Sequence, residues 1–336
     1  MGKKVKDVNK FNVLKVPPEL ISFLKEGKSF FITTHINPEA DAFGSAIALS
    51  MALESLGKKT IVYDRDSVPE FYKFLPGHER FRNSTSDLQL STYSLILLDC
   101  NSLKRAGIEG ARFNYSAVID HHKTEKSTTQ GSFGDIRWIE PEAAATGLMV
   151  FYLIKDLGVP ITKEIAINLY AAISIDTGTF RYNNTTAEVL RVGAELIEAG
   201  VSPAYISHSL YETWSKERFT LLVMALNTLE IREGVAMTHV SKEMYKKTGA
   251  NPEDTENFPN FPRMMKDIKV SAFYKEIGNN YWKVSLRSKG NMNVAKIASL
   301  FGGGGHENAA GFEIKSDLES AKKSLLKALS QGKIDS

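Results

Sequence analysis

The chain has a single cysteine, Cys100, among 336 residues. One thiol excludes an internal disulfide and any zinc site built from several thiolates, and makes a reducing, cytoplasmic setting the expectation. An excess of either charge is also missing: 42 Lys and Arg stand against 39 Asp and Glu, a formal net charge of +3. That balance speaks against a protein that tracks long duplex DNA, which ordinarily shows a marked basic excess or stripe. Long apolar runs are absent too. The longest, such as Leu148 to Ile154, fall far short of the ~20 residues that span a bilayer, so no membrane partner is expected. The basic start at Met1 to Lys6 is not followed by the apolar stretch of a signal peptide.

What is present reads as a folded protein, with 43% apolar and 24% charged residues. The length points to about two domains. In the first half, short apolar runs alternate with helical patterns. Strands are expected from Ser29, Lys59, Ser94 and Tyr115, and helices over Gly44 to Leu56 and Ala144 to Leu157. Continuous apolar strands separated by helices predict an α/β fold with a doubly wound, mostly parallel sheet covered on both faces. A helical stretch follows, interrupted at Gly200 to Pro203. Strands at Val235–Val240, Val270–Glu276 and Tyr281–Arg287 and a last helix at Leu318–Leu329 then form a smaller α/β domain. We divide the chain into a first domain over 1–190, a helical linker over 191–220 and a second domain over 221–336.

The chemistry-bearing residues gather after the apolar runs. His35, Glu39 and Asp41 follow the first. Asp99 ends Leu95 to Leu98, Asp120-His121-His122 ends Ala117 to Ile119, and Asp176 follows Ala171 to Ile175. Any one of these alone is an ordinary turn former or cap. Together they mark the carboxyl-terminal rim of a parallel sheet, where ligands bind. If Glu39, Asp41, Asp99 and Asp176 share one crevice, each like-charged pair at ~4 Å costs about 4 kcal/mol near a protein surface. Two divalent cations would balance four carboxylates, and oxygen and imidazole ligands without thiolate suit Mn or Mg. Such a two-metal site activates water and supports in-line displacement at phosphorus.

These residues resemble the motifs of the DHH family of phosphoesterases, named for Asp-His-His, here Asp120 to His122. His35 to Ser45 is similar to the first motif, Leu98-Asp99 to the second, and Asp176 to Tyr182 to the fourth. Gly302 to Gly305, followed by His306, resembles the glycine-rich signature of the DHH-associated C-terminal domain. Length and layout are most similar to the nano-RNase branch, which also dephosphorylates 3′-phosphoadenosine 5′-phosphate. The resemblance implies one metal on His35, Glu39 and Asp99. It implies a second on Asp41, Asp99, His121 and Asp176, with Asp99 as the bridge and Mn preferred over Mg. His122 would lie beside the scissile phosphate, and Asp120 would orient a histidine. Glu39 departs from the family, which normally has Asp there.

Glycines let backbone amides approach phosphate or sugar oxygens. Gly302, Gly303, Gly304 and Gly305 with His306 are therefore candidate substrate contacts. The resemblance implies Arg287 and Ser288 on that domain's substrate-contacting strand, and Arg105 and Arg181 carry guanidinium groups suited to phosphate. Phe258, Phe261 and Phe273 read first as core residues and second as base-stacking faces. The expected substrate is short RNA or a mononucleotide bisphosphate, and a homodimer is allowed. Three alternatives remain: a DHH phosphodiesterase for linear or cyclic dinucleotides, a family inorganic pyrophosphatase or exopolyphosphatase, which the nucleotide-binding look of the tail disfavours, and a non-catalytic nucleotide or RNA sensor with a decayed metal site.

Overall fold

The computed structural model describes residues 14–122, 133–290 and 292–331. The chain forms two compact units, divided between Thr213 and Trp214.

The first unit contains strands β1 (Ser29–Thr33), β2 (Lys59–Tyr63), β3 (Phe81–Arg82), β4 (Ser94–Leu98), β5 (Ser116–Asp120) and β6 (Ile136–Ile139). Its helices are α1 (Pro18–Glu26), α2 (Ala40–Ser55), α3 (Thr146–Asp156), α4 (Lys163–Asp176), α5 (Ala187–Glu198) and α6 (Pro203–Tyr211). The strands form one parallel sheet in the order β3-β2-β1-β4-β5-β6. The direction of winding reverses between β1 and β4. In such sheets the carboxyl ends of the two strands flanking the reversal leave a crevice that no connection covers.

Side-chain alternation sorts the strands onto two faces. Phe30 and Ile32 of β1, Ile96 and Leu98 of β4, and Ala117 and Ile119 of β5 pack with Leu20, Phe43, Leu148 and Leu169 of the helices. Phe31, Leu95, Leu97 and Val118 point the other way, into a smaller core with Tyr63, Tyr93, Cys100 and Ile108. Among the described residues no α-helix contributes to this second core. Irregular chain covers that face instead.

The second unit holds α7 (Lys216–Leu226), β7 (Glu230–Arg232), β8 (Val235–Val240), α8 (Lys242–Thr248), α9 (Asn260–Arg263), β9 (Val270–Gly278), β10 (Tyr281–Ser288), α10 (Val294–Ser299), β11 (Gly304–His306), β12 (Ala309–Lys315) and α11 (Leu318–Gln331). Its sheet runs β11-β12-β10-β9-β8-β7, with only the β8–β9 pair parallel. Val284, Leu286 and Phe312 of this sheet pack under Leu325 and Leu329 of α11.

Three local expectations are corrected. α2 begins at Ala40 rather than Gly44, so Asp41 lies in a helical first turn and not in a loop. The run ending at Ile175 is helix α4, capped by the Thr162 hydroxyl accepting from the Ile165 amide. Asp176 therefore ends a helix rather than a strand of the rim; the mostly buried, Ala-rich apolar run before it reads alike in either state. Part of the glycine run is strand, because Gly304 and Gly305 pair with Gly311 and Ala310.

Candidate metal centre

His35 and Asp99 follow the two strands that flank the reversal. His35 Nε2 lies 3.2 Å from Asp99 Oδ2, and its Nδ1 lies 3.0 Å from the Ile36 carbonyl oxygen. Asp99 has a backbone φ of 58°, a left-handed conformation uncommon for a side-chain-bearing residue and frequent where strain serves a site. Its amide donates to Ile119 O of the neighbouring strand at 3.0 Å, which anchors the turn.

His121 is the centre of the cluster. Its Nε2 lies 3.2 Å from Asp176 Oδ2, 3.4 Å from Asp99 Oδ1 and 3.8 Å from Asp41 Oδ2. Its Nδ1 meets the Ala143 carbonyl oxygen at 3.2 Å, which fixes the ring. Two groups of side chains are close enough to hold a cation: Asp99, His121 and His122, and Asp41, His121 and Asp176. Four elements thus converge, with Asp41 from α2, Asp99 from the end of β4, His121 from the end of β5 and Asp176 from the end of α4.

Asp41 is 1% exposed. Its Oδ2 accepts from the Thr146 amide and its Oδ1 from the Gly147 amide, both at 2.8 Å. Gly147 is required for this approach: a Cβ there would stand 2.6 Å from the Ala172 Cβ and 3.3 Å from Asp41 Oδ1.

The electrostatics are those of a site short of positive charge. Burial, then the charge of Asp99, pushes Asp41 up to about 7. Burial and the charges of Asp41 and Asp99 raise Asp176 well above the usual carboxylate range. Burial opposes the charged form of His121. The hydrogen bond to Asp99 and the charges of Asp176, Asp99 and Asp41 outweigh it and push His121 up to about 10. Burial also acts against ionised Asp99, yet bonds to His121 and His35 and the nearby His122 hold its carboxyl well below the usual range. Three carboxylates sharing one imidazole, with no thiolate, form a donor set that fits Mn or Mg.

Asp120 is fully buried and supports His122. Its Oδ1 accepts from the His122 amide at 3.0 Å and lies 2.6 Å from His122 Nδ1. Its Oδ2 is buried without a hydrogen-bond partner. Glu39 is exposed at the start of α2 and joins neither cation-competent group among the described residues. Its charge still reaches Asp176.

The remaining candidates separate. Arg105 is exposed, its carbonyl oxygen accepts from the Ile36 amide at 2.8 Å, and its charge acts on His35. Arg181 is exposed, with Nε donating to the Gly178 carbonyl at 2.6 Å. In the second unit, Gly302 and Gly303 line an open depression of about 350 Å³ with Lys283, Phe301, Gly311 and Glu313. Arg287 is half-buried on β10. Ser288 is buried, its hydroxyl 2.7 Å from Met292 O and 3.0 Å from Asn308 Oδ1. It therefore points into the fold and ties down the neighbouring loop. The backbone of His306 lies in β11; its side chain lies outside the described residues. Phe258 and Phe273 are core residues at 1% and 3% exposure.

Sequence reasoning missed Thr146, whose hydroxyl donates to Asp99 Oδ1 at 3.0 Å. The only signal was a Thr-Gly pair after three alanines, which reads as a helix start. It also missed Asn184, whose amide donates to Ala144 O and Asp176 O, both at 3.1 Å.

Fold and cluster define a class: a parallel-sheet domain with a cation-competent carboxylate–imidazole centre at the carboxyl ends of its strands. Residues 29–173 match the DHH family, N-terminal domain, and residues 234–332 match the DHHA1 domain. The chain belongs to the DHH family and is a hydrolase of that family. It is 36% identical over 303 residues to the bifunctional oligoribonuclease and PAP phosphatase NrnA of Thermus thermophilus, covering 89% of this chain and 88% of that protein. The Bacillus subtilis protein of the same name is 27% identical over 315 residues, covering 89% and 92%. Among solved structures, an exopolyphosphatase-related protein from Bacteroides fragilis superposes with a TM-score of 0.85 at 28% identity, over 93% of this chain and 95% of that one.

Proposed function

We propose that the chain is a metal-dependent phosphoesterase that hydrolyses short oligoribonucleotides and dephosphorylates 3′-phosphoadenosine 5′-phosphate. The observation that carries the chemistry is the convergence of Asp41, Asp99 and Asp176 on His121 Nε2, with His122 Nδ1 3.4 Å from Asp99 Oδ1. The substrate class follows the two NrnA relatives, which match this chain over most of their length.

The proposed ligands are His35, Glu39 and Asp99 for one cation and Asp41, Asp99, His121 and Asp176 for the other, with Mn favoured over Mg. When bound, such cations lower the pKa of water and neutralise charge on phosphate oxygens. The chain's own residues do the rest. Ala143 O orients His121, and Asp120 fixes His122 through Nδ1, so proton exchange with a substrate oxygen falls to His122 Nε2. Arg105 and Arg181 offer guanidinium groups suited to phosphate.

The first domain is assigned to catalysis and the second to substrate binding, through Arg287 and the backbone of Gly302 to Gly305. The single buried thiol, Cys100, supports a cytoplasmic location. Within the proposal the partners are short RNA and nucleotide, without long duplex DNA.

The test is a Mn-supplemented hydrolysis panel. It sets 3′-phosphoadenosine 5′-phosphate and RNAs from dinucleotide to pentanucleotide against a long RNA, cyclic dinucleotides and pyrophosphate. Preferential turnover of the first two substrates supports the proposal. Equal rates on long and short RNA, or turnover confined to cyclic dinucleotides or pyrophosphate, defeat it.

A further inference from the structure

We propose that Thr146 is a positioning residue that sets the rotation of the Asp99 carboxylate, and with it the division of Asp99 oxygens between two cation seats; this rests on the divalent-cation reading above. Thr146 opens α3 and is fully buried. It makes two contacts with the acidic cluster by different groups. Its backbone amide donates to Asp41 Oδ2 at 2.8 Å, and its hydroxyl donates to Asp99 Oδ1 at 3.0 Å. One residue therefore ties an acid on α2 to an acid at the end of β4.

The hydroxyl acts on a torsion that is otherwise soft. A carboxylate turns about its last bond in a broad, roughly two-fold well. Here the two oxygens face different partners: Asp99 Oδ2 lies 3.2 Å from His35 Nε2, while Oδ1 lies 3.4 Å from His121 Nε2. Rotation would scramble that division. A donor held on the buried, β-branched Thr146 fixes the plane, because branching at Cβ leaves few rotamers in a helix.

The segment around it is built for this role. Ala143 O holds His121 Nδ1, the Gly147 amide holds Asp41 Oδ1, and Ala144 O shares the Asn184 amide with Asp176 O. Residues 143–147 thus touch Asp41, Asp99 and His121 directly and Asp176 through Asn184. Ala143, Ala144, Ala145 and Gly147 carry no polar side chain. The Thr146 hydroxyl is the one group there that substitution can remove while every backbone contact is left in place.

The experiment is Mn(II) titration of the full chain by calorimetry, with free Mn(II) followed by electron paramagnetic resonance. Thr146→Val keeps shape and amide and removes only the hydroxyl; Thr146→Ser keeps the hydroxyl. Loss of a partner that orients a metal ligand typically weakens affinity by about 10–100-fold. That loss is expected for Val, with Ser within about threefold of the wild type. Thr146→Ala serves if the Val variant does not fold, with the same expected loss. Mn(II) affinity of the Val or Ala variant within about twofold of the wild type overturns the proposal, as does a Ser variant as weak as Val. A wild-type chain that binds Mn(II) but leaves short RNA and 3′-phosphoadenosine 5′-phosphate intact defeats the substrate reading alone; the Thr146 comparison still stands.

Discussion

Asp120 and His122 lie two residues apart and meet twice: the His122 amide and ring Nδ1 both reach Asp120 Oδ1, at 3.0 and 2.6 Å. The imidazole is thereby fixed in place and in orientation by a carboxylate that no solvent reaches. Asp120→Asn keeps the shape and removes the charge that holds the ring. A positioned acid–base group contributes typically about 10²–10⁴-fold, so kcat is expected to fall by about 10²-fold or more. Mn(II) affinity should change little. Steady-state kinetics beside a metal titration separates the two, and an equal loss of both would assign Asp120 to the metal shell.

Asp99 touches His35, His121, His122 and Thr146. Its replacement by Ala should abolish measurable Mn(II) binding and lower hydrolysis by about 10³-fold or more, the scale on which electrostatic stabilisation at an active site acts. Because the fold holds Asp99 ionised, against its burial, through His121, His35 and His122, and its removal leaves the buried Thr146 hydroxyl without its acceptor, the variant should unfold at a lower temperature than the wild type when both are held in a chelator. A folded Asp99→Ala enzyme with near-normal turnover would defeat the site.

Glu39 is the exposed member of the proposed ligand set. Shortening it to Asp moves the carboxylate by about one ångström, a distance to which catalytic geometry is sensitive. Glu39→Asp is expected to preserve or raise metal-dependent turnover. Loss of hydrolysis in the folded variant would remove residue 39 from its assigned place.

Asp64 gives a pH signature outside the cluster. It sits just beyond β2 at 2% exposure, accepting from Thr34 Oγ1 at 2.7 Å and from the Asp66 amide at 2.9 Å. Burial outweighs these bonds and pushes it from 3.8 up to about 6. The folded state thus holds this proton more tightly than the unfolded chain, so stability falls as pH rises from about 4 through 6. At 1.36 kcal/mol per pH unit the loss reaches roughly 3 kcal/mol above pH 6. Asp64→Asn keeps the Asp66 contact through Oδ1 and can donate from Nδ2 to the Thr34 hydroxyl oxygen, reversing that bond, and should be free of this loss. Urea unfolding of the two proteins at pH values across that window should show a gap that widens with pH; a constant gap would refute the assignment.

Gly303 stands where a Cβ would lie 2.1 Å from the Gly311 carbonyl oxygen. Backbone cannot yield as a flexible side chain can, so Gly303→Ala is expected to destabilise the second unit by about 1–3 kcal/mol. Thermal unfolding measures it, and an unchanged midpoint would mean that the β11–β12 edge has more room than its geometry shows.

The legible parts of the molecule were those with strong local pattern. β1, β2, β4 and β5 are runs of β-branched, aromatic and leucine residues, and their polar terminators His35, Asp99 and Asp120 could be read as a rim. The edge strands escaped for physical reasons. β3 is two residues long, β11 is Gly-Gly-His, and β12, the inner neighbour of β11, opens on Ala-Ala-Gly; Gly and Ala have weak strand preference. Asp176 was placed in the cluster, but at the end of the wrong kind of element. Ser288 looked like a contact and proved buried, since alternation on β10 turns it inward beside Leu286. Thr146 escaped because its importance lies in two bonds to residues 105 and 47 positions away, a separation that no local window spans.

That long reach bears on how the protein is made. His35 leaves the ribosome early, yet its cluster is finished only when Asp176 has emerged and α4 has docked on α2. Chains are synthesised N-terminus first, and domains generally fold as units. A nascent chain that ends before Asp176 holds an incomplete set of acids around His121. Full cation capture then requires synthesis through at least Asp176, and a product truncated before that residue lacks the full set.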